Sequence, residues 1–358
     1  MLRIVFMGSD PIALPLLNWI AGADGAQHAR IVAVYTQPDR PSGRGMKIRP
    51  NAIKTWALEH GIPVHQPEKL TGETRAELAS LAPDLSLVMA YGHILRDDFI
   101  NTPRLGTLNL HTSLLPKYRG ASPIQTAIAC GERETGVSLM RIVRKLDAGP
   151  VADVERVRIE NLDTALDVEQ KLAAACVPLI ARALPRLATG GLQFTEQNEA
   201  DATFCRRLDK ADSALDFNVP AAVLAARING LYPWPACSVE INGTHPIKFG
   251  QADSVEWTIP TWMRILSGYK GKVSCVSFGN TLMWAAGGLA GTADPLPPGT
   301  ILPSDTSIIH IATADGILRI HRLQRPYGKM VPAADYQIKC SISPGTLLSS
   351  QPMTKLLS

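Results

Sequence analysis

Through the first 150 residues, short apolar runs alternate with stretches whose apolar positions fall at helical spacing. The runs at 2–7, 30–36, 62–65, 84–90, 107–111 and 136–142 predict strands. Between several of them, 12–21, 52–60, 73–81 and 123–129 predict helices. Strands alternating with helices predict an α/β domain: a Rossmann-like parallel sheet covered on both faces. The segment Asp84-Leu85-Ser86-Leu87-Val88-Met89-Ala90 is almost continuously apolar, as a central strand buried on both faces must be.

A further strand is expected over 151–159. After it, residues 163–187 carry Leu166, Leu172, Val177, Ile180 and Leu184 at helical spacing and predict one long helix. Pro178 and Pro185 lie inside it and predict a kink or a break, and Gly190-Gly191 supplies a stop signal. Beyond residue 200 the pattern changes to short strand-like pieces at 236–241, 247–249, 273–278, 308–312 and 317–323. Asn242-Gly243 and Asp315-Gly316 are strong hairpin dipeptides, and the whole predicts a small β-barrel. Residues 251–297 give no clear pattern, and the last dozen residues read as a loose tail.

A chain of 358 residues exceeds the roughly 250–300 at which a single core stops growing, so two domains are expected. The pattern divides them as 1–190, a linker over 191–208, a second domain over 209–345 and a tail over 346–358. No apolar stretch approaches the roughly 18 residues that cross a bilayer, and the first strand is too short for a signal peptide. The six cysteines form no Cys-x-x-Cys pair, which argues against a zinc site and predicts free thiols in a cytoplasmic protein. Net charge is +4; residues 1–205 balance at 22 basic and 22 acidic, so the excess lies in the second domain. That surplus favours an anionic partner there.

The candidate chemistry sits near residue 110. Asn109 and His111 are two apart on a strand and share a face. They fall at the carboxyl end of the strand, where open α/β sheets place their ligand crevice. A neutral imidazole exchanges protons near pH 7, and an amide N–H can steady a developing oxyanion. Asp147 follows the next strand, and a parallel neighbour would bring it alongside to orient the imidazole or collect a proton. A second feature is the segment 38–50, where Arg40, Arg44, Lys47 and Arg49 surround Gly43 and Gly45. It reads either as a solvated loop or as a basic loop for phosphate contact. There is no P-loop and no Gly-x-Gly-x-x-Gly after the first strand, which argues against a nucleotide-dependent oxidoreductase.

The run Asn109-Leu110-His111-Thr112-Ser113-Leu114-Leu115-Pro116-Lys117-Tyr118-Arg119-Gly120 resembles the signature of enzymes that use 10-formyltetrahydrofolate. Leu146-Asp147-Ala148-Gly149 resembles their companion acidic loop, and Ala90-Tyr91-Gly92-His93-Ile94-Leu95 resembles their fourth strand and its turn. The segment from Thr36 to Gly45 resembles the acceptor-stem loop of the methionyl-tRNA formyltransferase family. Leu231-Tyr232-Pro233-Trp234-Pro235-Ala236 resembles the entry into that family's second domain.

The resemblance implies a formyltransferase domain followed by an OB-like, tRNA-binding barrel. It implies transfer of a formyl group from 10-formyltetrahydrofolate, a consumed co-substrate, to the α-amine of methionine on initiator tRNA, with no metal. It assigns catalysis to Asn109, His111 and Asp147 and lays Ser113, Leu114, Leu115 and Pro116 along the folate. Arg40, Arg44, Lys47 and Arg49 would meet tRNA. Two other readings stay open: a formyltransferase acting on an amino-sugar nucleotide, and a non-catalytic nucleic-acid-binding protein.

Overall fold

The computed structural model describes residues 1–42, 47–241, 246–257, 273–278, 281–286, 289–290, 296–304, 307–340 and 342–357. The chain begins with β1 (Leu2–Gly8), α1 (Leu14–Ala21), β2 (Ala29–Tyr35), β3 (Arg40–Ser42), β4 (Lys47–Arg49), α2 (Ala52–Glu59) and β5 (Val64–His65). Next come α3 (Gly72–Ser80), β6 (Leu85–Met89), α4 (Asp97–Ile100), β7 (Thr107–His111), β8 (Arg119–Gly120) and α5 (Pro123–Ala129). The first domain closes with β9 (Glu134–Arg141), β10 (Val151–Arg158) and α6 (Ala165–Ala188).

Seven of these strands form one sheet in the order β10-β9-β7-β6-β1-β2-β5. The five from β7 to β5 are parallel. Side chains alternate across the sheet, so β6 sends Leu85, Leu87 and Met89 into a core shared with α1 and α6. It sends Val88 to the opposite face, among Val5, Met7, Leu78 and Phe99. Each such side chain contributes roughly 1.5–3 kcal/mol by leaving water.

Two expectations change. β9 runs antiparallel to β7, with Leu108 opposite Arg141 and His111 opposite Ser138. The strand before Asp147 therefore ends level with the start of β7, not beside its carboxyl end. Apolar alternation has no direction, so it could not reveal this. The long helix is unbroken despite Pro178 and Pro185. Pro178 removes the donor for the Ala174 carbonyl, but both residues are exposed, so water serves that carbonyl. The opposite face, from Val168 through Leu172, Leu179 and Leu187, is packed on the core and holds the helix together. Leu166 is exposed, and the core position beside it belongs to Val168.

The second half contains β11 (Phe204–Cys205), α7 (Ala221–Leu231), β12 (Ser238–Val239), β13 (Ile247–Val255), β14 (Val273–Phe278), β15 (Thr281–Ala286) and β16 (Leu289–Ala290). It ends with β17 (Ile309–Ala312), β18 (Ile317–Gln324), β19 (Met330–Pro332) and α8 (Ala333–Lys339). β12, β13, β18 and β17 make a curled antiparallel half-barrel to which β19 adds on β18. Asp315-Gly316 turns β17 into β18, as its sequence requires, whereas Asn242-Gly243 lies outside the described residues. β14, β15 and β16 form a separate antiparallel sheet within the stretch that gave no clear pattern.

The two halves are in contact. α7 lies against α5 so closely that a Cβ on Gly230 would sit 2.6 Å from the Ala129 nitrogen and the Gln125 carbonyl oxygen. Beside it, the Asn229 amide donates to the Ala252 carbonyl oxygen at 2.8 Å and accepts from the Ala252 N–H at 2.8 Å. The chain terminus is not loose: Leu348 and Leu356 are buried in the second core. Thr354 bonds the buried Asp212 carboxylate, and the Arg206 guanidinium reaches both Asp212 and the Lys355 carbonyl oxygen.

Burial alone would push the Asp212 carboxyl up, but Arg206, Thr354 and the Asp209 N–H outweigh it and hold it at about 2. The folded value lies below the usual carboxylate range of about 4, so this stabilisation is complete above that range and is lost as pH falls through about 2. Asp212→Asn cannot ionise. It should cost about 2–3 kcal/mol at pH 7, the stabilisation that Arg206 and Thr354 give the ionised carboxylate, and progressively less between pH 4 and pH 2. Thermal unfolding of the variant and the wild type across that range checks this.

Candidate active site

β7 ends in His111, whose side chain is buried on the face that also carries Asn109. The His111 Nε2 lies 2.9 Å from the Tyr118 carbonyl oxygen. A carbonyl only accepts, so Nε2 carries the hydrogen and Nδ1 is left as the atom that can gain or release a proton. Nδ1 faces Asp147 Oδ2 at 3.8 Å, an ion-pair separation too long for a hydrogen bond. The orientation of the ring is thus set by the Tyr118 carbonyl, where the sequence suggested Asp147. Among the described residues no hydrogen bond occupies the Asn109 side-chain amide, so its donors are available.

Asp147 arrives from the loop between β9 and β10, which turns back along β7 to reach His111. The turn needs a left-handed backbone at Asp147, φ +48°, a conformation that aspartate tolerates better than most residues. Its Oδ2 accepts the Gly120 N–H at 2.9 Å. The short strand β8 therefore serves both side chains: the carbonyl preceding it holds His111 and its Gly120 N–H holds Asp147.

β8 is itself shaped by three constraints. Tyr118 is left-handed at φ +60°, with its N–H on Thr203 Oγ1 at 2.9 Å. Gly120 has φ +116°, and a Cβ there would stand 2.2 Å from the Cys205 carbonyl oxygen, because β8 pairs with β11. Arg119 between them is 0% exposed. Its guanidinium donates to Gln197 Oε1 at 3.1 and 2.8 Å and to the Glu199 carboxylate at 3.2 and 3.0 Å. Lys145 adds a second cation to Glu199 at 2.6 Å, and the two together hold that exposed carboxyl down at about 2. Gln197 completes the frame by donating its Nε2 to the carbonyl oxygens of Asp147 and Gly149, at 2.8 and 2.7 Å. Arg119 lies within the signature run, but Gln197 and Glu199 carry no motif that sequence reading could have found.

The other expected residues divide. Ser113 is fully buried, its hydroxyl donating to the Lys117 carbonyl oxygen at 2.7 Å and its carbonyl accepting from Ser138 Oγ at 2.7 Å. Leu114 lies over Gly136 of β9, while Leu115 and Pro116 are half-buried. The Leu115 N–H also uses Ser138 Oγ, at 3.1 Å, so Ser138 pins the whole turn. At the end of β6, the Tyr91 hydroxyl and His93 Nε2 are buried without a partner among the described residues.

Arg40, Lys47 and Arg49 lie exposed on the ribbon of β3 and β4, with Arg40 opposite Arg49 and Ser42 opposite Lys47. Arg44 lies outside the described residues. The base of the ribbon is tied to the sheet: Gln37 N–H donates to Ser9 Oγ at 3.0 Å and Gln37 Nε2 to the Tyr91 carbonyl oxygen at 3.1 Å. A cavity of about 390 Å³ lined by Arg104, Arg141, Leu187 and Phe194 opens where β7 begins, at the end remote from His111. Among the described residues no group of three or more His, Cys, Asp or Glu side chains could hold a metal ion, and no helix is long and apolar enough to cross a membrane. Burial raises the Cys205 thiol to about 11 and those of Cys176 and Cys237 to about 12. All three are therefore unreactive at neutral pH.

Residues 2–184 match the model of the formyl transferase family, and residues 207–339 match that of the formyl transferase C-terminal domain. The methionyl-tRNA formyltransferase of Ectopseudomonas mendocina is 38% identical over 339 residues, covering 93% of each chain. That of Bordetella bronchiseptica is 38% identical over 343 residues, covering 92% of this chain and 97% of its own. A solved N-formyltransferase from Helicobacter canadensis, in complex with folinic acid and dTDP-3-aminofucose, shares the fold at a TM-score of 0.58 and 17% identity, over 89% of this chain and 98% of its own.

Gly120→Ala combines a disfavoured backbone with a clash against Cys205. It should destabilise the protein by more than about 1 kcal/mol, read as a lowered midpoint in chemical denaturation.

Proposed function

The chain belongs to the formyl transferase family, and on that premise we propose that it formylates the α-amine of methionine on initiator tRNA, with 10-formyltetrahydrofolate as donor. The observation that carries the reading is the pairing of His111 Nδ1 with Asp147, on the face where the Asn109 amide is free. It occurs in a chain alike over almost its whole length to relatives named for that reaction.

The amine nitrogen attacks the formyl carbon, and negative charge gathers on the formyl oxygen. Asn109 Nδ2 donates to that oxygen. His111 Nδ1 takes the amine proton, and the Asp147 carboxylate at 3.8 Å offsets the positive charge the ring acquires. The bond from the formyl carbon to N10 breaks, the proton passes from the imidazolium to N10, and tetrahydrofolate departs. The fixed hydrogen at Nε2 supports this assignment, because it leaves Nδ1 as the single imidazole atom for the transfer. Leu114, Leu115 and Pro116 line the folate, and Ser113 keeps their turn in shape through its bonds to Lys117 and Ser138.

The same residues need no metal, since an N-formyl donor is already activated. Arg40, Arg44, Lys47 and Arg49 meet tRNA phosphates, and the curled C-terminal domain adds backbone contacts that position the acceptor end. We place the domain boundaries at 190 and 209. Its acceptor and its unreactive thiols suit the cytoplasm.

Formyl transfer to charged initiator tRNA should be rapid in the wild type, absent for charged elongator tRNA, and about 10²–10³-fold slower in His111→Ala. Transfer to an amino-sugar nucleotide in place of methionyl-tRNA would overturn the acceptor while keeping the chemistry. Arg40→Ala or Arg49→Ala should raise the KM for tRNA and reduce the slope of log KM against log salt by about 1 each. Folate KM should not move; wild-type salt dependence in both variants would remove the ribbon from the tRNA contact.

A further inference from the structure

We infer that Gln197 is the positioning residue for Asp147, which makes the segment between the two domains a working part of the site. The inference rests on the reading of Asp147 as catalytic. One side-chain amide makes four hydrogen bonds. Its oxygen accepts from Nε and Nη2 of the fully buried Arg119, at 3.1 and 2.8 Å. Its nitrogen donates to the Asp147 and Gly149 carbonyl oxygens, at 2.8 and 2.7 Å.

The backbone it grips is the one that most needs holding. Asp147 is left-handed, in a hairpin loop that turns back along an antiparallel strand and that β9 ties only at its base, where the Arg141 N–H donates to the Pro150 carbonyl oxygen at 3.0 Å, among the described residues. Two bonds from one rigid amide, on either side of Ala148, set both the height and the twist of that loop. The amide is aimed in turn by Arg119, whose neighbour Gly120 donates to Asp147 Oδ2. Gln197 and Gly120 thus fix the main chain and the side chain of Asp147 from one anchor. Glu199 repeats the link through Lys145, but that cation is largely exposed and its pairing is the weaker tie.

Gln197→Glu keeps the size and the acceptor oxygen toward Arg119 but turns a second oxygen against the two loop carbonyls. It should lower kcat about 10²-fold with folate KM unchanged, the loss expected when a reacting group is misplaced by about 1 Å. Because the effect runs through Asp147, adding Gln197→Glu to Asp147→Asn should cost nothing further. An additive loss in that double variant, or wild-type kcat in the single one, overturns the inference.

A second readout is independent of activity. The Gly120 amide should lose protection from hydrogen exchange in Gln197→Glu, since its acceptor has moved; retained protection overturns the inference even if the acceptor substrate is not the one proposed. A wild type inert toward methionyl-tRNA would count against the proposed function, with the exchange measurement still deciding the role of Gln197. Should Gln197→Glu fail to fold, Gln197→Met, which drops the donors without adding charge, is read by the same exchange and kinetic cycle.

Discussion

A guanidinium with none of its surface in water must have its charge answered where it lies, or the fold cannot bear it. Arg119 meets that demand with a carboxylate and an amide from the segment after α6. Everything at the site is arranged around this one answered charge. It draws residues 197–199 across the β9–β10 loop. It fixes β8, which supplies the N–H for Asp147 and follows directly on the Tyr118 carbonyl that holds His111. Partial satisfaction would be worse than none, because a buried network with one member missing leaves a desolvated charge.

The same arrangement explains why the site tolerates so much unfavourable backbone. Tyr118, Gly120 and Asp147 all have positive φ at or beside the His111–Asp147 pair. Such residues persist where surrounding bonds over-determine them. Here the bonds are Thr203 to Tyr118, Cys205 against Gly120, and Gln197 on Asp147. All three partners come from residues 197–205 between the domains, so that stretch is structural in the first domain before it enters the second. From Cys205 it continues to Arg206, which meets Asp212 and the packed terminus. The second domain and the pocket around His111 and Asp147 are therefore mechanically continuous.

Much of this was legible in the residues. Apolar runs located every strand of the first sheet, most plainly β1 and β6, because a strand buried on both faces has to be apolar whatever its neighbours are. The two-residue spacing of Asn109 and His111 put them on one face for the same geometric reason. Asp315-Gly316 marked a true hairpin, since few dipeptides accept its backbone. The signature from Asn109 to Gly120 pointed to the family, and it contained Arg119 without revealing why an arginine stands there.

What the sequence could not hold was direction and partnership. Periodicity is the same read either way, so the reversal of β9, and with it the route by which Asp147 reaches His111, was decided by tertiary pairing. Burial of a charge is likewise invisible in one dimension: Arg119 could have been a surface cation, and Gln197 an ordinary linker residue. Only the folded chain brings side chains nearly eighty residues apart within hydrogen-bond reach. The chain alone thus determined its family and which groups are candidates for the chemistry, because their types and spacing are local. Tertiary structure decided which groups hold them, because a hydrogen bond between distant residues is set by the path of the backbone and not by the composition along it.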